Sequence, residues 1–213
     1  MQDFVTVTGM VIKVVPSLEY DRRLEILTVE RGKISAFAKG ARKVTGKLTA
    51  STDLFAFGKF KLYEGKTSYS VIEADISNYF EFLRTDFIAS SYAMYFLEMM
   101  DYYTRENNDE KDMLGLLYQS IRALENEKLD DRLIKCIFEI KTLVIEGEYP
   151  PIVEGYKEAT LYTLDYISKS PLERLYTFVV DEQVLTQLES ICSLLMKKYV
   201  NKSFKSLEIL EEL

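Results

Sequence analysis

The hydrophobic period changes once along this chain, near Asn78, and that change restricts the fold more than any other feature. Before it, apolar residues alternate or run in short β-branched stretches; after it they recur every three or four residues. Period two marks strands and period 3.6 marks helices. Residues 5–12 are rich in Val, Thr and Ile and are followed by Pro16. Residues 23–30 alternate, with Leu24, Ile26 and Thr28 on one side and Glu25, Leu27 and Val29 on the other. Arg31-Gly32 reads as a tight hairpin, after which Ile34, Ala36 and Ala38 share a face. Residues 54–63 and 67–76 form a second strand pair around Glu64-Gly65-Lys66. Five strands in about 80 residues predict a small closed or partly closed barrel, of OB or SH3-like type. Gly9 and Gly58 interrupt strand patterns and are expected at bends or bulges.

The second part is predicted to be helical. Phe87, Ser91, Met94 and Leu97 place a helix over 86–104, and Asn107-Asn108-Asp109 breaks it. Met113 to Leu124 supply a second helix. A third starts near Asp130-Asp131 and ends at Gly147 and Pro150-Pro151. Leu161-Tyr162-Thr163-Leu164 reads equally as a short strand or helix, and Pro171 opens a helical turn. A last long helix covers about 182–200, followed by a short amphipathic tail. The predicted class is α+β: a barrel domain over 1–80 and a helical domain over 81–213.

Composition excludes several chemistries. The 213 residues contain no histidine, so neither a Ser-His-Asp nor a Cys-His nucleophile can form, nor a His-containing zinc site. The two cysteines, Cys136 and Cys192, are too few for a four-cysteine zinc site and are expected to be buried thiols. No cofactor and no metal are expected. Gly40 to Leu48 superficially resembles a phosphate loop, but five residues separate Gly40 from Gly46, and Leu48 replaces the magnesium-binding hydroxyl. Acidic groups such as Asp109-Glu110-Asp112 and Asp130-Asp131 sit at helix starts, where they favour the dipole. Met1-Gln2-Asp3-Phe4 has no basic region or small-residue cleavage site, so no signal peptide is expected. The longest uncharged run, 87–97, has eleven residues, against the roughly 20 of a bilayer span. A cytosolic chain without membrane contact is expected.

The net charge of −7 conceals a split. Residues 1–80 carry 12 basic and 9 acidic side chains, a net of +3, and residues 81–213 carry 15 and 25, a net of −10. From Arg31 to Thr52 there is no acidic residue, while Arg31, Lys33, Lys39, Arg42, Lys43 and Lys47 are positive. Such a run attracts a polyanion with salt-sensitive affinity. Phe37, Phe55, Phe57 and Tyr63 lie nearby; most are expected to fill the barrel and some to stack on bases.

Tyr20-Asp21-Arg22, Leu24, Leu27-Thr28, Glu30-Arg31-Gly32-Lys33, Ala36 and the run from Ala38 to Lys43 together resemble the signature of the RecO family of bacterial DNA repair proteins. Thr8 to Lys13 is similar to that family's first strand, and Met196 to Tyr199 with Lys205-Ser206-Leu207 to its last helix and tail. The resemblance implies an OB-type barrel followed by helices. It also implies a recombination mediator without covalent chemistry, located with DNA in the bacterial cytoplasm. Such proteins bind single- and double-stranded DNA, anneal complementary strands, and act with RecR to load RecA onto strands covered by SSB. Positions matching the family's basic pattern are Arg22, Arg31, Lys33, Lys39, Arg42 and Lys43; Arg23 and Lys47 complete the predicted DNA-binding set. An acidic tail such as that of SSB is expected on the helical domain, with Arg122, Lys128, Arg132 and Lys135 as candidate contacts. Many members carry a four-cysteine zinc module where this chain has Glu154-Gly155-Tyr156-Lys157, so residues 150–182 are predicted to be a shortened, metal-free replacement. Two other classes compete: an adaptor whose basic loop binds only an acidic protein, and a carboxylate-dependent nuclease, which the absence of an acidic cluster in the basic part disfavours.

Overall fold

The computed structural model describes residues 4–66, 68–152 and 154–211. Strands β1 (Phe4–Ser17), β2 (Asp21–Thr28), β3 (Gly32–Ala38), β4 (Phe57–Glu64) and β5 (Tyr69–Asn78) close into one barrel in the order β1-β2-β3-β5-β4. All pairs are antiparallel except β3 with β5, which meet in parallel at Ala36–Tyr69 and Phe37–Ser70. This is the five-stranded OB-type arrangement, and it resolves the choice between OB and SH3-like barrels. The alternation seen in the sequence fills the interior: Leu24 and Ile26 from β2, Ile34 and Ala36 from β3, and Phe60 and Leu62 from β4 are fully buried.

β2 and β5 are each offset by two residues from the expected 23–30 and 67–76, with Thr67 outside the described residues, and two further strand limits differ more. β1 continues through Pro16, which pairs with Arg22 of β2. The pairing of β1 with β4 ends at Met10–Phe57, so beyond that point one edge of β1 needs no N–H donor, and proline is tolerated there. β4 begins at Phe57 instead of Leu54. Phe55 takes a positive φ of 69°, its N–H donates to the Val11 carbonyl, and Ala56 accepts from the Val11 N–H, so residues 53–56 form a turn.

Gly9 and Gly58 face each other across β1 and β4. A Cβ at Gly58 would lie 2.1 Å from the Asp75 carbonyl oxygen, and one at Gly9 would lie 2.4 Å from that of Leu27. Both glycines let neighbouring backbone approach closely, next to the register shifts at Val11/Lys13 and Phe57/Gly58. Gly58→Ala is expected to destabilise the barrel by about 1–3 kcal/mol, as overpacking does, seen as a lower urea midpoint.

The helices are α1 (Phe87–Tyr103), α2 (Lys111–Ala123), α3 (Asp131–Ile145), α4 (Glu158–Lys169), α5 (Glu182–Tyr199) and α6 (Lys205–Glu211). The ambiguous stretch around Leu161 is therefore helical. Thr160, Thr163, Leu164 and Ile167 form its buried face at helical spacing. The chain divides into two compact units. One holds the barrel through Glu81 together with Leu97–Leu114, and the other holds Phe82–Phe96 together with the residues from Gly115 onward. Within the first, the β2–β3 hairpin is tied to 101–108: Lys33 N–H donates to the Arg105 carbonyl and Asn107 N–H to that of Arg31, each at 2.9 Å.

In the second unit α3 is the most buried helix, with Leu133, Ile134, Ile137 and Ile140 inside and Phe138 stacked on Phe96 at 4.2 Å. Cys136 and Cys192 are buried and unbridged. Two charged side chains also enter this interior. Glu139 is 1% exposed; its Oε1 accepts from the Tyr95 hydroxyl at 2.6 Å and from Lys135 Nζ at 2.9 Å. Lys141 Nζ donates to the carbonyls of Ser168 (3.0 Å) and Ser170 (2.7 Å), capping the C-terminal end of α4 where positive charge meets the helix dipole. That contact anchors the 150–182 region onto α3.

Asp131 at the start of α3 is strained electrostatically. Burial, then Asp86 and Asp130, raise its carboxyl to a pKa of about 6. The folded state therefore binds more protons than the unfolded one between about pH 4 and pH 6, and stability falls as pH rises through that window. Asp131→Asn is expected to add about 1–2 kcal/mol at pH 8 and nothing near pH 4, after discounting for partial exposure. Paired urea titrations at the two pH values measure the difference.

Candidate nucleic-acid interface

The basic stretch after β3 is an ordered series of turns. Gly40 N–H donates to Asp21 Oδ1 at 2.8 Å, Arg42 N–H to the Tyr20 carbonyl at 2.9 Å, and Gly46 N–H to the Lys43 carbonyl at 2.9 Å. The Thr49 hydroxyl donates to the same Lys43 carbonyl at 2.8 Å. Gly46 sits so close to the Gly40 carbonyl that a Cβ would come within 2.5 Å of it. The glycine pair that resembles a phosphate loop thus serves close backbone packing between two turns.

Arg22 holds the far end of this segment. Its guanidinium donates to the Thr49 carbonyl and to Asp53 Oδ1, both at 2.8 Å. Lys33 is likewise occupied: it is 14% exposed and its ammonium lies 2.9 Å from Asp101 Oδ1, with Lys13 at 3.1 Å from Oδ2. Burial works against the Asp101 charge, but Lys33 and Lys13 hold its pKa below the usual carboxylate value. These two predicted contacts are internal ion pairs and do not present free charge. Arg31 is half-buried, 3.7 Å from Glu64. Arg23 lies on the exposed side of β2 and donates to the Ser35 hydroxyl at 2.9 Å.

The remaining predicted residues do come together. Lys39, Lys43 and Lys47 line a groove of about 650 Å³ with Gly40, Gly46 and Leu48 from the turns and with Phe4, Tyr63 and Ile72 from β1, β4 and β5. Among the described residues, its only lining groups charged at neutral pH are these three lysines, and none of them has a carboxylate partner. Arg42 is exposed beside them and donates to the Glu19 carbonyl at 3.2 Å. Lys43 Nζ lies 5.4 Å from the centre of the Tyr20 ring. The outward positions of β4 add Lys59, Lys61 and Tyr63, which alternate with buried Gly58, Phe60 and Leu62.

The aromatic side chains are arranged differently from expectation. Of the four singled out in the sequence, only Phe55 is buried; Phe37 and Phe57 are half-exposed, and Tyr63 is 36% exposed. Phe60 is the phenylalanine that fills the barrel. Phe4, not singled out, is 49% exposed and pairs with Tyr63 across β1 and β4, ring centres 6.1 Å apart and edge to face. Lys61 Nζ stands 5.6 Å from the Phe4 ring centre, a contact worth about 0.5–1 kcal/mol at an exposed site.

The four cations predicted for partner binding divide in the same way. Arg132 donates to Asp130 Oδ2 at 2.9 Å and to Glu182 Oε2 at 3.0 Å, and Glu189 stands at 3.7 Å, so its charge is satisfied within the unit. Lys135 is paired with Glu139; burial opposes its charge, yet Glu139 more than offsets this and raises its pKa. Arg122 and Lys128 remain exposed. Arg122 borders a shallow cavity of about 260 Å³ with Leu172, Tyr176 and Thr177.

Comparisons with known proteins agree with this barrel-then-helices order. The family model described as recombination protein O N terminal matches residues 1–80, and that described as recombination protein O C terminal matches 84–155. The chain is 27% identical to the DNA repair protein RecO of Acetivibrio thermocellus, over 99% of this chain and 98% of that protein. It is 31% identical to RecO of Clostridium novyi over 65% of this chain and 54% of that one. To RecO of Clostridium perfringens it is 25% identical over 95% and 96% of the two chains. Two adjoining models of one family and full-length relatives on both sides lead to one assignment: the chain belongs to the RecO family of DNA repair proteins.

Proposed function

We propose that this chain binds single- and double-stranded DNA through the barrel groove and anneals complementary strands. In this reading it assists RecR in loading RecA onto strands covered by SSB. The observation that carries the reading is the groove lined by three lysines, with no carboxylate among its described lining residues. Lys39, Lys43 and Lys47, with exposed Arg42 on the same turns, supply phosphate contacts that hold a backbone irrespective of sequence, and Arg23 on the outer side of β2 adds a further cation. Arg31 contributes at the margin, while Arg22 and Lys33 act by shaping the turns and the hairpin. Annealing requires only that two strands be neutralised side by side, so it needs no covalent chemistry; the proposed location is the cytoplasm, with the bacterial DNA.

The acidic helical part is the proposed seat of protein contacts, RecR included. Of the four candidate contacts for an acidic SSB tail, Arg122 and Lys128 are exposed, whereas Arg132 and Lys135 are already paired. The alignment with the Acetivibrio protein spans 245 positions against 213 residues here, which supports a segment shorter than in that relative. Strand annealing is the test. The full chain is expected to speed pairing of complementary oligonucleotides severalfold at low salt; equal rates with and without protein would contradict the proposal.

A further inference from the structure

Phe4, Tyr63 and Ile72 (50% exposed) form an apolar ledge on adjacent strands at the floor of the groove, bordered by Lys39, Lys43 and Lys47. Large apolar side chains grouped on a surface mark a contact site, and the barrel gains nothing by leaving these three in water. We infer that unpaired nucleobases stack on the Phe4–Tyr63 ledge while the lysines hold the phosphates, which makes this face selective for single strands over duplex. The inference rests on the DNA-binding reading above and adds the element that distinguishes the two substrates.

The chemistry of the lining favours a nucleic acid over an acidic peptide. A single strand offers flat π-faces and regularly spaced negative charge together, and the groove is lined by both aromatic rings and lysine side chains. Lys61 covers the Phe4 ring only through an exposed cation–π contact, which a stacked base displaces, freeing the ammonium for a phosphate. In a duplex the bases are stacked on one another and cannot reach the ledge, so only the phosphate contacts remain. Annealing on this face therefore weakens the grip on the product and releases it.

Anisotropy titrations of the full chain test this with three probes of about 20 positions: an oligothymidylate, the same backbone with abasic spacers, and a duplex. The oligothymidylate is expected to bind about tenfold tighter than the abasic strand, the gain from stacking. Phe4→Ala with Tyr63→Ala should bring the two within about twofold while leaving the salt dependence intact. Phe4→Tyr with Tyr63→Phe keeps both rings and should behave as the parent. Both side chains are exposed, so circular dichroism should be unchanged. Equal binding of oligothymidylate and abasic strand by the parent protein would overturn the ledge and leave the phosphate groove standing. Absence of binding to all three probes would instead remove the DNA-binding reading itself, and the ledge with it. Displacement of the oligothymidylate by polyglutamate at equal charge would assign the groove to an acidic protein and overturn the inference.

Discussion

Reversing Lys39, Arg42 and Lys43 to glutamate is expected to lower affinity for a single-stranded oligonucleotide by about a hundredfold or more at about 0.1 M salt. Each lost phosphate contact removes released counterions, and each new carboxylate adds repulsion along the same backbone. The slope of log affinity against log salt should fall by about 2, since single strands contribute roughly 0.7 per neutralised phosphate. The three side chains are exposed and none forms an ion pair among the described residues, so folding should be preserved. Arg42 gives up only exposed hydrogen bonds to carbonyls of the preceding turn. Affinity within twofold of the parent protein would remove this face as the site. Reversal at Lys33 is expected to act by another route: it would place a carboxylate against Asp101 and loosen the hairpin, lowering stability in urea.

The second large effect lies in the helical part. Lys135→Met is expected to destabilise by about 3–5 kcal/mol, because it leaves the Glu139 carboxylate buried with the Tyr95 hydroxyl as its one remaining partner at Oε1. Glu139 Oε2 already lacks a hydrogen bond among the described residues, so no spare donor can compensate. For a chain of this size the loss corresponds to a Tm lower by roughly 10 °C. Adding Glu139→Gln should recover most of it, since an amide can still accept from Tyr95 and carries no charge into the interior. If Lys135→Met melted with the parent protein, or the double variant no higher than the single, the buried pair would not be the source of stability assigned to it.

The architecture was legible because the signals are local. β2 and β3 announce themselves by alternation, α3 by its buried i, i+3, i+4 residues, and the change of period falls where β5 ends. α4 was ambiguous because two of its four buried residues are threonines, Thr160 and Thr163, which carry little hydrophobic signal. Charge partners were not legible. In the sequence Lys33 and Lys39 look alike; one meets Asp101 on a distant helix and the other faces solvent in the groove. The same applies to Arg22, whose partner Asp53 stands just beyond the acid-free run. The exposed position of Phe4 is hidden in the sequence for a related reason. Its role depends on the register that sets it opposite Tyr63, and no local pattern specifies which strands of a barrel become neighbours. The outward alternation of Lys59, Lys61 and Tyr63 along β4 is visible in the sequence and is the local signal that marks this face.

A salt titration of single-strand binding tests the central claim most directly. Filter binding of the full chain to an oligonucleotide of about 20 residues, at several salt concentrations between about 0.05 and 0.3 M, should give log affinity falling linearly with log salt at a slope of about −2 or steeper, as three or more lysine–phosphate contacts require. Binding that is absent at the lowest salt, or that does not change with salt, would contradict a phosphate-binding groove on the barrel.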